Sequence, residues 1–472
     1  MVVVSSTRPS NAGMDLIRNG GKAFCLLGTD VNDFGNGKVA IVKQSAVSYP
    51  LSHVTDLPAG HYFVWAILNR STPRDPSEIS NPLLSYPQEI DLDRAHAGIV
   101  KLWLDEQRPP ESAPADTEFM KFLQVQSGLL SKFHGRPTYL RAGIVLPSDY
   151  YEHPDRRYPV WVRIGGYGAR YWSIKSLMAE KSDFRKTWDE ADTPRMILVQ
   201  LDGAGPYGDP YQVDSANNGP YGAALTQELL PEVEKRFRCL PHARVLSGVS
   251  TGGWASLALQ IFYPDEFDGV WSSCPDPVDF RAFELINIYE NTNAYVNAYG
   301  FERPSERTVD GEVKLTVRRE VQLENVLGRG DSWTLSGEQW CAWNAVFSPR
   351  GKDGLPERLW DPQTGAINHA VAEAWKRYDL RLYLQDHWKT LGPKLQGKLH
   401  IAAGDADNYY LNNAVHLLDE FLSHANPPYK GTIVYGPRKG HGWSNLAVKP
   451  MLQEMQAAVE RVNRVRQPSA GQ

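Results

Sequence analysis

The stretch RVLSGVSTGGWASLALQIFYP, residues 244–264, changes character at a serine in its middle. The apolar run Val245–Val249 is typical of a buried strand, whereas the residues after Ser250 repeat apolar side chains at helical spacing. Gly248 and Gly252 flank the serine in the pattern G-x-S-x-G. This pattern predicts a sharp strand-to-helix turn that exposes the hydroxyl, but five letters alone are a weak signal, so the rest of the chain must support it.

Strand and helix patterns alternate on both sides of this stretch. Apolar strand patterns occur in TYLRAGIVLP, YPVWVRIGG, RMILVQLDG, GVWSSCP, KLHIAAG and GTIVYGP. Helical patterns lie near residues 223–237, 251–262, 412–422 and 450–465. Apolar strands separated by helices predict an α/β fold, in which a mostly parallel sheet is covered by helices on both faces.

The chain divides into regions of different pattern. Residues 1–104 carry short β-type runs, GKVAIVKQSAVSYPL, GHYFVWAILNRS and GIVKLWLD, and predict an N-terminal β-sandwich-like domain. Residues 105–118 have the proline-rich polar composition of a linker. Residues 119–466 form the predicted α/β domain, and the alternation stops at about 275–394, which predicts a helical cap inserted before the last two strands.

Composition excludes several classes of protein. With 472 residues, 22% of them charged, and a net charge of −5, the chain has no basic stripe for nucleic acid. It has no apolar run of about 18 residues, so we expect no membrane span. No secretory signal is visible in the first residues, so the compartment stays open: cytoplasmic by default, secreted or periplasmic if a leader has been removed.

The four cysteines lack the spacing of a metal or redox site. They are Cys25, Cys239, Cys274 and Cys341. Isolated cysteines of this kind are usually buried, so we expect buried free thiols.

A serine nucleophile requires a base and an acid that orients the base. In the α/β-hydrolase order these groups follow the serine as acid and then histidine, each after a strand. Beyond the strand ending at Ala403 the candidates for the base are His416, His424 and His441. The first two lie in a helical pattern, whereas His441 lies in the loop GPRKGHGW after the last strand, so His441 is the predicted base.

The acid is predicted in the segment LHIAAGDADNYY. Asp405 and Asp407 both follow a strand there, and Asp407, three residues after Gly404, is favoured over Asp405. Asp276 and Asp279, after the preceding strand, remain outside candidates. A calcium-binding loop at DADN is a weaker hypothesis, because the other spaced oxygen ligands are missing.

Two backbone N–H groups are needed to stabilise the tetrahedral oxyanion. Thr251 supplies one at the start of its helix. The loop after VWVRI, with Gly166, Tyr167 and Gly168, is predicted to supply the other. Together these features predict a serine hydrolase that needs no metal and no organic cofactor.

Residues 136–443 resemble the "putative esterase" branch of the α/β-hydrolases, which includes esterase D, feruloyl esterases, enterochelin esterases and mycolyltransferases. The matching segments are RYPVWVRIGGYG, DSANNGPYGAALTQELLPEVEKRF, LSGVSTGGWASLALQIFYPDEFDGVWSSCPDPVDF, GDADNYY and GHGW. The resemblance implies an α/β-hydrolase fold with Ser250 as nucleophile, Asp407 as acid and His441 as base. It also implies oxyanion donors at Thr251 and at the turn 166–167. The chain departs from many relatives in having Gly165-Gly166 where they have His-Gly.

The predicted activity is hydrolysis of a small, carbohydrate-linked or phenolic carboxylic ester through an acyl-enzyme. Trp254 and Asn217 are predicted to contact the substrate, with packing and turn formation as the alternatives for them. Trp333, Trp340 and Trp343 are further candidates for an aromatic wall. An acyltransferase with the same triad and a non-catalytic carbohydrate-binding protein are the rival functions. The natural ester and the oligomeric state stay open.

Overall fold

The computed structural model describes residues 1–9, 23–35, 37–69, 82–93, 98–107 and 112–466. In the described N-terminal residues, seven strands form one antiparallel sheet. They are β1 (Val2–Ser5), β2 (Ala23–Gly28), β3 (Val47–Tyr49), β4 (Gly60–Leu68), β5 (Leu83–Leu84), β6 (Gln88–Leu92) and β7 (Glu106–Gln107). A short 3-10 turn, Val54–Asp56, precedes β4.

Two of the predicted N-terminal strands differ from the structure. Of residues 37–51 only Val47–Tyr49 pairs as a strand, and residues 98–105 have no strand conformation. The side chains of Val39, Ile41, Ile99 and Trp103 are 63–87% exposed, because no neighbouring strand covers them. An apolar, β-branched run therefore gives the sequence pattern of a strand even where no neighbouring strand pairs with it. Glu106–Gln107, in the predicted linker, instead pair with β5, and residues 108–111 of that linker lie outside the described residues.

The larger sheet has eight strands in the order β19-β18-β15-β14-β10-β11-β9-β8. The strands are β8 (Met120–Gln126), β9 (Tyr139–Val145), β10 (Tyr158–Ile164), β11 (Ile197–Leu201), β14 (Cys239–Val249), β15 (Val270–Ser273), β18 (Leu399–Gly404) and β19 (Thr432–Gly436). The six strands from β19 to β11 pair in parallel, and β9 and β8 pair antiparallel at the other edge. The predicted mostly parallel sheet is confirmed.

Two short hairpins lie outside these sheets. One pairs β12 (Asp214–Ser215) with β13 (Gly219–Pro220), and the other pairs β16 (Pro304–Arg307) with β17 (Val313–Thr316). The hairpin β16–β17 is part of the long segment between β15 and β18.

The described helices, in chain order, are α1 (Gly128–His134), α2 (Ile174–Leu177), α3 (Asp183–Asp189), α4 (Tyr221–Ala224), α5 (Leu230–Arg236), α6 (Thr251–Phe262), α7 (Val317–Leu327), α8 (Gln339–Phe347), α9 (His369–Trp375), α10 (Leu380–Leu395), α11 (Asn412–Ser423) and α12 (Val448–Arg466). A π-helical turn, Leu225–Leu229, joins α4 to α5. Shorter 3-10 turns occur at Tyr171–Ser173, Phe280–Ala282, Trp333–Leu335 and Lys376–Tyr378. Among the described helices, none combines the length and apolarity that a bilayer crossing requires.

Apolar side chains cover both faces of the larger sheet, as the buried pattern of its strands requires. On one face, Trp161 of β10 and Leu198 of β11 pack with Met455 of α12. On the other face, α6 is buried along nearly its whole length and continues into a large core with the segment between β15 and β18. All four cysteines are buried and free, as predicted.

The segment between β15 and β18 makes three sets of contacts. Its helix α8 lies near the carboxyl end of β15, where the Trp343 indole contacts Asp276. Its last helix, α10, packs on α6, with the rings of Phe262 and Tyr383 4.9 Å apart. Its helix α7 packs on the N-terminal sheet, where Val326 joins a buried cluster. The segment thus bridges the two sheets.

Candidate active site

The turn at Ser250 is the sharp elbow that the sequence predicts. Ser250 has φ 58° and ψ −125°, between the end of β14 and the first residue of α6. A Cβ on Gly248 would lie 1.9 Å from the Gly252 carbonyl oxygen, and a Cβ on Gly252 would lie 2.2 Å from the Ile164 carbonyl oxygen. Neither position can accept a side chain, so the glycines permit the close approach of β10, β14 and α6.

The predicted acid and base lie together at the carboxyl ends of β18 and β19. The His441 Nδ1 and Asp407 Oδ2 atoms are 2.9 Å apart. The Asp407 side chain has no exposed surface, and its Oδ1 accepts a hydrogen bond from the backbone N–H of Tyr409 at 2.9 Å. This geometry fixes the imidazole orientation, as an orienting carboxylate does in a catalytic triad.

Electrostatics favour a basic imidazole at this position. Burial disfavours the charged form of His441, but the hydrogen bond and charge of Asp407, together with the charge of Asp276, outweigh that effect. The pKa of His441 is therefore raised above its ordinary value. A more basic imidazole accepts a proton from a nucleophile more readily.

The loop that carries His441 is built against the acid loop. Asn408 Oδ1 accepts a hydrogen bond from the His441 backbone N–H at 2.8 Å. A Cβ on Gly404 would lie 2.3 Å from the Lys439 carbonyl oxygen, so the two loops are in backbone contact. The Tyr409 and His441 rings meet edge to face at 4.9 Å. Asn408 and Tyr409 were not predicted as site residues, although both lie in the segment DADNYY that contains the predicted acid.

The other candidate carboxylates do not contact His441 in this way. Asp405 is exposed and accepts a hydrogen bond from the Arg438 backbone N–H at 2.6 Å. Asp279 is buried in ion pairs with Arg281 and Arg381, both at 2.7 Å. Asp405 and Asp279 are therefore structural in this arrangement, because their oxygens are engaged away from the imidazole.

Asp276 is the exception among these candidates, because it contacts the serine. The Ser250 hydroxyl donates to Asp276 Oδ1 at 3.4 Å, and the Asp276 backbone N–H donates to the Ser250 carbonyl at 3.2 Å. Among the described residues, no hydrogen bond joins the Ser250 hydroxyl to the His441 ring. Catalytic hydrogen bonds of a free enzyme are often long and tighten only when substrate binds.

The residues that follow β15 lie between the Ser250 turn and the loop that carries His441. The Ser250 backbone N–H donates to the Ser273 carbonyl at 3.0 Å, and the Cys274 thiol donates to the Trp443 carbonyl at 3.4 Å. Residues 273–276 thus contact both the elbow and the loop of His441.

The predicted oxyanion donors surround the elbow. Thr251 is the first residue of α6, so its backbone N–H has no partner within the helix. A Cβ on Gly166 would lie 3.8 Å from the Ser250 Cβ, which places the turn 166–167 beside the predicted nucleophile. The Gly168 N–H donates to Asp209 Oδ2 at 3.2 Å, and this contact fixes the loop. Burial raises the pKa of Asp209 to about 7.

Trp254 and Asn217 do not have the environment of substrate contacts, which corrects the prediction made for them. Trp254 is completely buried, and its ring packs on Tyr211 and Phe347. Asn217 Nδ2 donates to the carbonyls of Ala345 and Ser348, both at 2.9 Å, and thereby braces the end of α8. Both residues face inward because their elements pack against the segment between β15 and β18.

The tryptophans proposed as an aromatic wall are also core residues. Trp333, Trp340 and Trp343 are at most 4% exposed. Trp340 and Trp343 meet edge to face at 4.8 Å, and Trp333 stacks on Trp360. Only the Trp343 Nε1 atom, which donates to Asp276 Oδ2 at 3.1 Å, reaches the site.

One cluster of metal-ligating residue types occurs among the described residues, and it includes the predicted acid and base. Ligand atoms of Cys274, Asp407 and His441 lie within 4.8 Å of one another. Asp407 and His441 are hydrogen-bonded to each other, and burial raises the pKa of Cys274 to about 11. The hydrogen bond between Asp407 and His441 accounts for two of the three members of this cluster.

Comparison with known proteins assigns the class. Residues 137–428 match a family model described as "Putative esterase". That match covers more than half of the chain, so the chain belongs to this esterase family. It is a carboxylic ester hydrolase with an α/β-hydrolase fold, as the sequence resemblance implied. Among curated proteins, none matches the chain.

Several solved structures are similar to it. A ferulic acid esterase has 13% identity over 73% of this chain and 97% of its own, with a TM-score of 0.41. The S-formylglutathione hydrolase from Agrobacterium tumefaciens has 14% identity over 73% of this chain and 97% of its own, also at 0.41. A ferulic acid esterase from Anaeromyces mucronatus has 13% identity over 74% of this chain and 93% of its own, at 0.33. At these scores the family model, and not these structures, carries the assignment.

Proposed function

We propose that the protein is a serine esterase that works through an acyl-enzyme, with Ser250 as nucleophile, His441 as base and Asp407 as the orienting acid. The observation that carries this proposal is the contact of the buried Asp407 carboxylate with His441, 2.9 Å apart, at the same edge of the sheet as the strained Ser250 turn. A hydroxyl is a weak nucleophile at neutral pH, so a positioned base is what makes Ser250 reactive.

The reaction consists of two acyl transfers. In the first, the Ser250 hydroxyl rotates toward His441, its proton passes to Nε2, and Oγ bonds to the ester carbonyl carbon. The tetrahedral intermediate collapses, and the alcohol leaves with the proton from His441. In the second, water attacks the acyl-enzyme by the same route and releases the acid.

The N–H groups of Thr251 and Tyr167 receive the oxyanion in both steps. Thr251 opens a helix of 12 residues whose N-terminal dipole favours negative charge. Asp209, which accepts from Gly168, holds the second donor loop in place. Such prearranged donors supply a large part of the rate acceleration in acyl transfer.

The proposed architecture is an N-terminal β-rich domain at 1–104, a linker at 105–118, a catalytic domain at 119–466 and a cap at about 275–394. Two contacts support the cap. Trp343 of α8 donates to Asp276, and Arg307 of β16 donates through Nε to the Asp407 carbonyl at 3.0 Å. Parts of this segment thus touch both the serine side and the acid side of the site.

The substrate is proposed to be a small, carbohydrate-linked or phenolic ester. The test is a panel of esters that varies the acyl and alcohol parts, including acetylated and feruloylated sugars and short p-nitrophenyl esters. Parallel reactions with an added sugar or alcohol acceptor measure transfer against hydrolysis, which separates an esterase from an acyltransferase.

The nucleophile is tested by Ser250→Ala with Ser256→Ala as a matched control. Ser256 is a buried serine of α6, the helix that follows Ser250, and its hydroxyl donates to the Gly253 carbonyl. We expect Ser250→Ala to reduce turnover on the order of 10⁴-fold or more, and Ser256→Ala to retain activity. A fluorophosphonate probe should label Ser250 in the native protein. An unlabelled native protein without turnover would favour the carbohydrate-binding alternative.

A further inference from the structure

Asp276 is a buried carboxyl group that the two-step mechanism does not use. It follows β15 directly, and its side chain is 3% exposed. Four neutral donors reach its Oδ2 atom: the hydroxyls of Tyr211 at 2.6 Å and Thr251 at 3.0 Å, the Trp343 indole at 3.1 Å and the Gln339 amide at 3.2 Å. Its Oδ1 atom accepts only the Ser250 hydroxyl, at 3.4 Å, among the described residues.

This unequal distribution of donors fixes the orientation of the Asp276 carboxyl group. Oδ2 is saturated by groups from α6, α8 and the loop before β12, which fixes the plane of the carboxyl group. Oδ1 therefore points at the nucleophile with acceptor capacity to spare. A bond of 3.4 Å is long, so it steers the hydroxyl and leaves it free to rotate toward the base.

The same carboxyl group acts on the imidazole electrostatically. The charge of Asp276 raises the pKa of His441, and the charge of His441 lowers that of Asp276, although burial raises the pKa of Asp276 overall. The titratable groups around His441 are Asp407, Asp276, Cys274 and Tyr409. The titratable groups around Asp276 are, besides His441, Tyr211, Asp209 and Glu284.

We propose that Asp276 is a second carboxylate of the active site, which positions the Ser250 hydroxyl through Oδ1 and stabilises the His441 imidazolium together with Asp407. This inference rests on the proposed function of Ser250 and His441. When the serine proton reaches His441, the negative charges of Asp407 and Asp276 both stabilise the cation. Helix α8, through Trp343 and Gln339, thus completes the environment of the nucleophile from the segment between β15 and β18.

The test compares Asp276→Asn, Asp276→Glu and Asp405→Asn. Asp276→Asn keeps the shape and removes the charge, whereas Asp276→Glu keeps the charge. Asp405→Asn is the matched control, because Asp405 follows the neighbouring strand β18 and its carboxyl accepts only the Arg438 N–H among the described residues. The readouts are kcat and KM for a short p-nitrophenyl ester and the rate of fluorophosphonate labelling, each measured across about pH 5 to 8.

For Asp276→Asn we expect kcat to fall about 10- to 100-fold with KM nearly unchanged. We also expect the acid limb of kcat/KM to move to lower pH, because the imidazolium loses a stabilising charge. Asp276→Glu should keep the acid limb at the wild-type position, and Asp405→Asn should match wild type. A fall in kcat with an unmoved acid limb would reduce Asp276 to a packing role and overturn the proposal, as would wild-type kinetics.

Trp343→Phe provides a second variant if Asp276→Asn does not fold. It removes the Nε1 donor to Oδ2 and keeps an aromatic ring in the core. A fall in kcat of several-fold at constant KM, with a displaced acid limb, supports the proposal, and unchanged kinetics overturns it. If the proposed serine esterase function itself is wrong, the wild-type protein will neither turn over esters nor be labelled at Ser250. That result is distinct from a failure of the Asp276 proposal, in which the wild-type protein is active.

Discussion

Asp405 and Asp407 stand two positions apart, yet their environments differ completely. Asp405 is exposed and caps a backbone N–H, whereas Asp407 has no exposed surface and accepts from His441 Nδ1. Both carboxylates contact the loop after β19, but Asp405 binds a backbone N–H of that loop, whereas Asp407 binds its imidazole. Spacing after the strand favoured Asp407, and the structure places the imidazole beside that residue.

This difference predicts opposite results for two identical chemical changes. Asp407→Asn should lower kcat on the order of 10³- to 10⁴-fold, because the amide no longer fixes the productive imidazole tautomer. Asp405→Asn should leave kcat close to wild type, since its Oδ1 still accepts from Arg438. The measurement is steady-state hydrolysis of a p-nitrophenyl ester by both variants. Equal losses in the two variants would contradict the assignment of the acid.

Strands and helices are packed so closely at the elbow that side chains are excluded there. A Cβ added to Gly248 would lie 1.9 Å from the Gly252 carbonyl oxygen, and a Cβ added to Gly253 would lie 2.9 Å from the Pro275 Cα. The glycine pattern read from the sequence therefore has a steric cause. The glycines are required because β14, α6 and the segment after β15 are in close contact, and not because the turn needs a flexible backbone.

Gly248→Ala should separate β14 from α6 and displace Ser250. Overpacking of this kind typically costs about 1–3 kcal/mol of unfolding free energy. A displacement of the nucleophile by about 1 Å lowers the rate on the order of 100-fold. Fluorophosphonate labelling and urea unfolding measure both effects. Gly35→Ala, with no atom within 4 Å of its added Cβ, is the control. A fully active Gly248→Ala enzyme would show that the elbow tolerates a side chain.

The N-terminal sheet is joined to the rest of the molecule through α7. Val326 is 5% exposed and packs with Val3, Leu26 and Trp65, and Gln322 donates to the Ser48 carbonyl at 3.0 Å. Arg319 adds a hydrogen bond to the Pro50 carbonyl at 3.1 Å. One face of the sheet is thus covered by a helix of the segment between β15 and β18.

Val326→Asp should loosen this junction, because it buries a charge without a partner. We expect a loss of at least about 2 kcal/mol of unfolding free energy. Val39→Asp, at a position 85% exposed, should change stability little. Urea unfolding followed by tryptophan fluorescence measures both. If the two variants unfold at the same urea concentration, the packing of α7 on the sheet contributes little to stability.

Prediction from the sequence succeeded where interactions are local. Seven of the eight strands of the larger sheet follow from apolar runs, α6 from its periodicity, and the elbow from glycines within four residues of each other, whereas β8 (Met120–Gln126) was not predicted. Prediction failed for residues 37–46 and 98–105, because an apolar run becomes a strand only when a neighbour pairs with it. It also took Trp254 and Asn217 for substrate contacts, since burial depends on what packs over a residue.

The sequence alone therefore determined the α/β order, the strained serine turn and the candidates for its base and acid. These follow from the period of each element and from the rule that parallel strands end at one edge of a sheet. Only the tertiary structure paired Asp407 with His441, and it alone brought Asp276 to the serine. That carboxyl group is held by side chains from three distant segments of the chain, and their meeting depends on long-range packing that no local pattern encodes.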